Sequence, residues 1–219
     1  MHSLITVLMI NYKTPAVTLK CLQAFRNFYN KIPLLLIDNS SYDKTSDKLY
    51  TFAQTDKNTT CVFNTFNMHH GPSMDLGLRM LKTPWVFIMD SDLFIMQPNL
   101  LEDMHLSVLA LKTWLMVGNL CYVDEKGINL RGIDQQHVNA IRYCNPKCML
   151  VNRYEYLNYD PCILHGAPMI LTMKHIKREH HEHMLIDFDW SKYAKHLGGV
   201  TQKTHGLDGA GGMNIPPFI

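Results

Sequence analysis

Four short apolar runs, each closed by asparagine or aspartate and each separated from the next by helical periodicity, constrain this chain more than any other feature. Residues 4–10 are almost continuously apolar and stop at Asn11. A run without polar alternation is what a strand buried on both faces of a parallel sheet requires. Thr14-Pro15 follows, an N-cap residue and then proline at the first helical position. Val17, Cys21, Phe25 and Phe28 recur at helical spacing, which predicts one helix face laid on the sheet. Residues 34–37 supply a second strand, ended by Asp38-Asn39-Ser40-Ser41, and residues 43–52 read as helix. Residues 61–63 are a third strand, and Met74, Leu78 and Leu81 mark a helix after the Gly71-Pro72 turn. Residues 85–89 form a fourth strand that stops at Asp90-Ser91-Asp92. This order predicts an α/β fold: a doubly wound, mostly parallel sheet with helices on both faces.

At 219 residues the chain is long enough for one domain with a real core. The balance of 21 basic and 19 acidic side chains gives a formal charge of +2, with no Lys/Arg-rich block, so nucleic acid is not an expected partner. The apolar start is too short for a membrane span and lacks the features of a signal peptide. A cytoplasmic protein with its six cysteines mostly reduced is the expectation; association with a membrane surface stays open but is not indicated. Residues 209–219, with Gly209-Ala210-Gly211-Gly212 and Ile215-Pro216-Pro217, read as a tail or linker.

In doubly wound sheets, ligands bind outside the carboxyl ends of the strands. The polar residues gather there: Asn11 after the first strand, Asp38-Asn39 after the second, Asn64 and Asn67 after the third, Asp90 and Asp92 after the fourth. Asp and Asn favour turns on their own account, but that explains four converging strand ends poorly. Asp90-Ser91-Asp92 is the sharpest feature. Two carboxylates so close repel unless a cation or a proton lies between them. Mn²⁺ or Mg²⁺ suits them, with substrate phosphate and water completing the coordination and the metal neutralising a departing diphosphate.

These residues carry a resemblance to the GT-A fold glycosyltransferases (nucleotide-diphospho-sugar transferase-like), specifically the family 2 type. Val7-Leu8-Met9-Ile10-Asn11-Tyr12 with Thr14-Pro15 is similar to that family's first strand and loop. Leu36-Ile37-Asp38-Asn39-Ser40-Ser41 is similar to its nucleotide-binding second strand. Residues 67–77 resemble its Asn-x-Gly…Ala-x-Asn-x-Gly segment, with His69, Ser73 and Asp75 departing from the pattern and Gly77 matching it. Asp90-Ser91-Asp92 falls at the family's DxD. The resemblance implies one GT-A-like domain over residues 1–208, with a nucleotide-binding half (1–98) and an acceptor and catalytic half (99–208).

It also implies roles. Asn11, Tyr12, Thr14, Asp38, Asn39, Asn67, Asp75, Asp90 and Ser91 would bind the donor, Asp38 at the base and Asp90 at the ribose or sugar. Asp92 would be the main metal ligand, with Asp90 beside it and His205 reaching back to the metal or diphosphate. His165-Gly166 looks like the turn that contacts donor sugar or acceptor. Ile186-Asp187-Phe188-Asp189-Trp190 with Leu197-Gly198 resembles the Glu-Asp-x-Asp-Leu…Gly element, which makes Asp187 the catalytic base and Asp189 its rival. Inverting transfer needs such a base for the acceptor hydroxyl, and the frame of Ile186, Phe188 and Trp190 would partly desolvate it. The implied partners are a nucleotide-sugar donor, most readily a UDP-sugar, and a saccharide or glycoconjugate acceptor.

Other readings stay open. Cys144, Cys148, Cys162 and His165 have spacing not far from a structural zinc site. His180-His181-Glu182-His183 lacks the metalloprotease spacing and reads as a solvated helix or loop. A nucleotidyltransferase could use the same sheet and metal, although Asn11-Tyr12-Lys13-Thr14 is a poor triphosphate loop. A non-catalytic nucleotide-sugar-binding module would bind donor without turning it over.

Overall fold

The computed structural model describes residues 1–39, 46–132, 138–163, 166–198 and 200. Strands β1 (Ile5–Asn11), β2 (Leu34–Asp38), β3 (Thr59–Phe63) and β4 (Trp85–Met89) pair in parallel, as their apolar runs predict. Helices α1 (Pro15–Phe28), α2 (Asp47–Thr55) and α3 (His70–Met80) form the crossovers. Beyond β4 the sheet becomes mixed. Strand β7 (Ile141–Asn152) runs antiparallel to β4, β6 (Met116–Val123) runs antiparallel to β7, and β8 (Leu185–Asp187) runs parallel to β6. The order is β3-β2-β1-β4-β7-β6-β8. Two reversals cancel, so β6 and β8 point the same way as β4 and end on the same rim. A separate two-stranded ladder joins β5 (Leu93–Ile95) to β9 (Ala194–His196).

Both faces of the sheet are covered. Ile5, Val7 and Met9 of β1 pack with Cys21, Leu22 and Phe25 of α1 and with Leu100, Leu101 and Met104 of α4 (Leu100–Leu106). On the other face, Leu8, Leu35 and Ile88 pack with Met74 and Leu78 of α3, with Tyr156 of the short α5 (Arg153–Tyr156), and with Ile170, Met173 and Ile176 of α6 (Ile170–Arg178). Each such side chain contributes about 1.5–3 kcal/mol when fully buried. Helix α3 sits so close to the sheet that a Cβ on Gly77 would lie 2.5 Å from Cδ1 of Leu8.

Several local expectations are corrected. Thr14 occupies the N-cap position but makes no capping hydrogen bond; its hydroxyl donates to Oδ1 of Asn11 instead. Phe28 is exposed, and Thr18 and Leu22 share the buried face of α1 with Cys21 and Phe25. Helix α2 begins at Asp47, and residues 43–45 lie outside the described residues.

The zinc grouping does not form among the described residues. In the β6–β7 ladder Gly118 pairs with Met149 but Leu120 pairs with Cys144, so Asn119 stands opposite residues 145–148. This bulge turns Cys144 and Cys148 to opposite faces of the sheet, into different cores. Cys162 meets the Tyr156 hydroxyl at 3.2 Å, and His165 is outside the described residues. Within the histidine-rich segment, residues 182–184 form a short 3-10 turn, and Nδ1 of His181 lies 2.8 Å from the Tyr159 hydroxyl.

Candidate active site

The first two strand ends are locked by a buried polar network. Asn11 donates through Nδ2 to Asp38 Oδ1 at 2.8 Å, and the Ser46 hydroxyl donates to Asp38 Oδ2 at 2.5 Å. Thr18 and Thr14 donate to Asn11 Oδ1 at 2.7 and 3.2 Å. Asn39 donates to Ser73 and to the His69 carbonyl, and it accepts from Asn64 at 2.6 Å. Asn11, Asp38 and Asn39 are all at most 1% exposed. Burial makes each of these hydrogen bonds costly to lose. Four of the sequence-predicted donor residues, Asn11, Thr14, Asp38 and Asn39, therefore lie together at these strand ends, and the carboxylate of Asp38 is bonded to protein groups in this structure.

The fourth strand end gathers the charged side chains. The backbone N–H of Asp90 donates to the Lys147 carbonyl across the β7 bulge at 2.9 Å. Bulges of this kind are common beside active sites, where they re-aim side chains. His196 is delivered by the β5–β9 ladder, with Nε2 2.9 Å from Asp92 Oδ1 and 3.1 Å from Asp90 Oδ2. His70, the first residue of α3, stands on the other side of Asp90, with Nε2 3.8 Å from Oδ1. Asp90, Asp92 and His196 each offer a ligand atom within 4.8 Å of the others, the one such group of three or more among the described residues. Two carboxylates and an imidazole suit a divalent cation.

The electrostatics match this crowding. Burial disfavours the charged form of His196, but hydrogen bonds to Asp90 and Asp92 and their charges outweigh it and raise the imidazole to about 9. Burial also works against the Asp90 carboxylate; the hydrogen bond from His196 and the charges of His70, His196 and Lys147 win, and its carboxyl falls below the usual range. These interactions favour a proton on His196 between the two carboxylates. A metal ligated by His196 must displace that proton.

Asp187 lies on the same rim, at the end of β8, where its Oδ1 accepts the N–H of Leu120 at 3.0 Å. It is exposed, because Ile186, Phe188 and Trp190 pack into the core beside α1 instead of framing the carboxylate. Asp189 caps the N–H of Ser191 at 2.9 Å, and its bonds to the Ser191 backbone and side chain hold its carboxyl low. Tyr12 and Ser91 are half-buried at the rim, and Asn67 caps the N–H of His69 at 2.9 Å. Asp75 points elsewhere: Tyr156 donates to its Oδ1 at 2.7 Å and Arg79 to its Oδ2 at 2.8 Å, which ties α3 to the second core. Gly166 is exposed; His165 and His205 lie outside the described residues.

Sequence reasoning missed His196, His70 and Lys147. Two weak signals were present: His196 immediately precedes Leu197-Gly198, and His70 sits inside the segment that matched the family.

Comparisons with solved structures agree with the fold. The chain is similar to the mannosyltransferase PcManGT from Pyrobaculum calidifontis, solved with GDP-Man and Mn²⁺, at a TM-score of 0.56 and 16% identity over 76% of this chain and 49% of that one. It is similar to S. aureus TarS 1-349, solved with UDP-GlcNAc, at 0.55 and 12% over 78% of this chain and 52% of that one. It is also similar to GalNAc-T7, solved with UDP, GalNAc and Mn²⁺, at 0.55 and 10% over 74% of this chain and 37% of that one. The chain thus spans about half the length of the first two. No curated protein matches it in sequence. Residues 6–137, from β1 through the carboxylate pair and β6, match the pattern described as glycosyl transferase family 2. With this pattern running through the parallel strands and the acidic pair at the fourth strand end, the chain belongs to glycosyl transferase family 2.

Proposed function

We propose that the chain transfers a sugar from a nucleoside-diphosphate sugar, with a UDP-sugar the first donor to test, to a hydroxyl of a saccharide or glycoconjugate acceptor, with inversion. The observation that carries this reading is the convergence of Asp90, Asp92 and His196 on one point of the carboxyl rim. Those three residues would hold Mn²⁺ or Mg²⁺, which supplies charge neutralisation to the departing diphosphate. Asp187 takes the acceptor proton. It sits three strand spacings from Asp90 on the same rim, about 14 Å across at the usual strand separation, which leaves room for a sugar between them. Asp189 is the poorer base, since its carboxyl is held low and occupied by Ser191.

The similar structures support the donor class through what they contain: GDP-Man in one, UDP-GlcNAc in another, UDP and Mn²⁺ in a third. Calorimetry with UDP- and GDP-sugars in the presence of Mn²⁺ or Mg²⁺, followed by detection of released nucleoside diphosphate, tests the reading. No binding of any donor with either metal would sink it. Binding without nucleotide release would instead identify a non-catalytic nucleotide-sugar-binding module.

A further inference from the structure

The rim between the metal carboxylates and Asp187 is crossed by the bulge of β7, and the bulge presents Lys147. The carbonyl of Lys147 accepts the Asp90 N–H at 2.9 Å, so this residue is the immediate neighbour of the acidic pair on the side toward β6 and β8. The local backbone is tied off: the Lys147 N–H donates to the Asn145 side chain at 3.2 Å, and Pro146 has no N–H to place. The side chain is half-buried. Lys147 thus stands on the rim one strand over from Asp90, with β6 on its far side.

On the reading above, the transferred sugar lies on this stretch, between the diphosphate and the base. We infer that Lys147 binds an anionic oxygen of the donor's diphosphate beside the metal and stays on it as the leaving group departs. In the step, the bond from the anomeric carbon to the β-phosphate oxygen breaks and its electron pair remains on that oxygen. The acceptor oxygen bonds to the anomeric carbon, and its proton passes to Asp187. One negative charge thus moves to the diphosphate, and a lysine at this position meets it where it develops. The ammonium acts as a compact point charge with rotatable donors, which suits a phosphate whose charge grows.

Calorimetry on the full chain, its Lys147→Met and Lys147→Gln variants and Lys147→Arg tests this, using Mn²⁺ alone, then UDP and GDP with Mn²⁺, then UDP-glucose and UDP-glucuronic acid. Loss of a charge-assisted contact weakens nucleoside diphosphate binding by about tenfold or more, and Lys147→Arg recovers most of it. Binding of Mn²⁺ alone is unchanged or tighter in the neutral variants, because a cation beside the metal has been removed. A purely structural role would weaken metal and nucleotide together, and that result overturns the inference. So does wild-type affinity for UDP and GDP in both neutral variants. A loss confined to UDP-glucuronic acid also overturns it, moving the contact to a carboxylate on the sugar. If the wild-type chain binds neither metal nor nucleotide, the underlying glycosyltransfer reading fails, and this inference fails with it.

Discussion

Leu93 and His196 stand directly opposite one another in the β5–β9 ladder. Leu93 follows Asp92 in sequence, so the pairing sets the imidazole against that carboxylate, and the Leu197 N–H donates to the Asp92 carbonyl at 3.1 Å to close the arrangement. His196→Ala should therefore weaken Mn²⁺ binding. Partners outside the ligand shell are commonly worth about 10–100-fold in metal affinity, and a direct ligand should cost at least that. Manganese titration followed by electron paramagnetic resonance measures it. Wild-type affinity in the variant would remove His196 from the metal set.

Asp92→Asn should abolish metal-dependent donor binding and leave the fold intact. Removing one of two neighbouring carboxylates relieves their repulsion, although His196 loses part of its counter-charge. Calorimetry with donor and Mn²⁺, beside a thermal melt, separates the two effects. A variant that melts early and binds donor normally would make Asp92 a structural residue.

Asp187→Asn should lower turnover by about 10²–10⁴-fold, the usual contribution of a positioned base, with little change in donor affinity. Asp189→Asn should lose less, because its partner is the local turn at Ser191. Steady-state rates for both variants, with NMR of the product's anomeric configuration, decide this. A retained configuration overturns inversion, and a larger loss at Asp189 moves the base by two residues.

Asp38→Ala should cost about 2–4 kcal/mol of stability, since it strands the buried Asn11 amide and Ser46 hydroxyl. Asp38→Asn keeps most of the network and should fold. Urea unfolding reads the first; donor calorimetry on the second shows whether Asp38 also touches the base. An alanine variant as stable as wild type would mean the network is not needed.

Asp56 supplies a pH signature. Burial raises its carboxyl, but bonds from Thr59, Asn58 and Arg26 outweigh it and hold it below the ordinary 3.8. The folded value is lower than the unfolded one, so this stabilisation is full above about pH 4 and fades as pH falls through the folded value. Asp56→Asn should be less stable than wild type at pH 7 by about 1–3 kcal/mol, with the gap narrowing in acid. Urea midpoints across pH measure it; a gap independent of pH would refute the assignment.

The parallel half of the fold was legible because its signal is local: continuous apolar runs at β1, β2 and β4 can only be buried on both faces. The antiparallel insertion of β7 was not, since its direction depends on a partner far along the chain. The same limit applied to the site. Asp90 and Asp92 announce themselves two residues apart, whereas His196 joins them through a three-residue ladder that leaves almost no periodicity to read. Asp75 is a different case: it stands where the family pattern has Asn, and in the structure Tyr156 and Arg79 bond to its two oxygens.

The β5–β9 pairing also fixes when the proposed metal site can be assembled. During synthesis Asp90 and Asp92 leave the ribosome long before His196, and a chain made only through β6 has the two carboxylates and His70 but not His196. The third ligand arrives after β7, α6 and β8 have been made, and closing so distant a contact comes at a conformational cost that nearby pairings avoid. Assembly of the proposed site is accordingly a late event, and an ion held by all three residues would mark that β9 has reached β5.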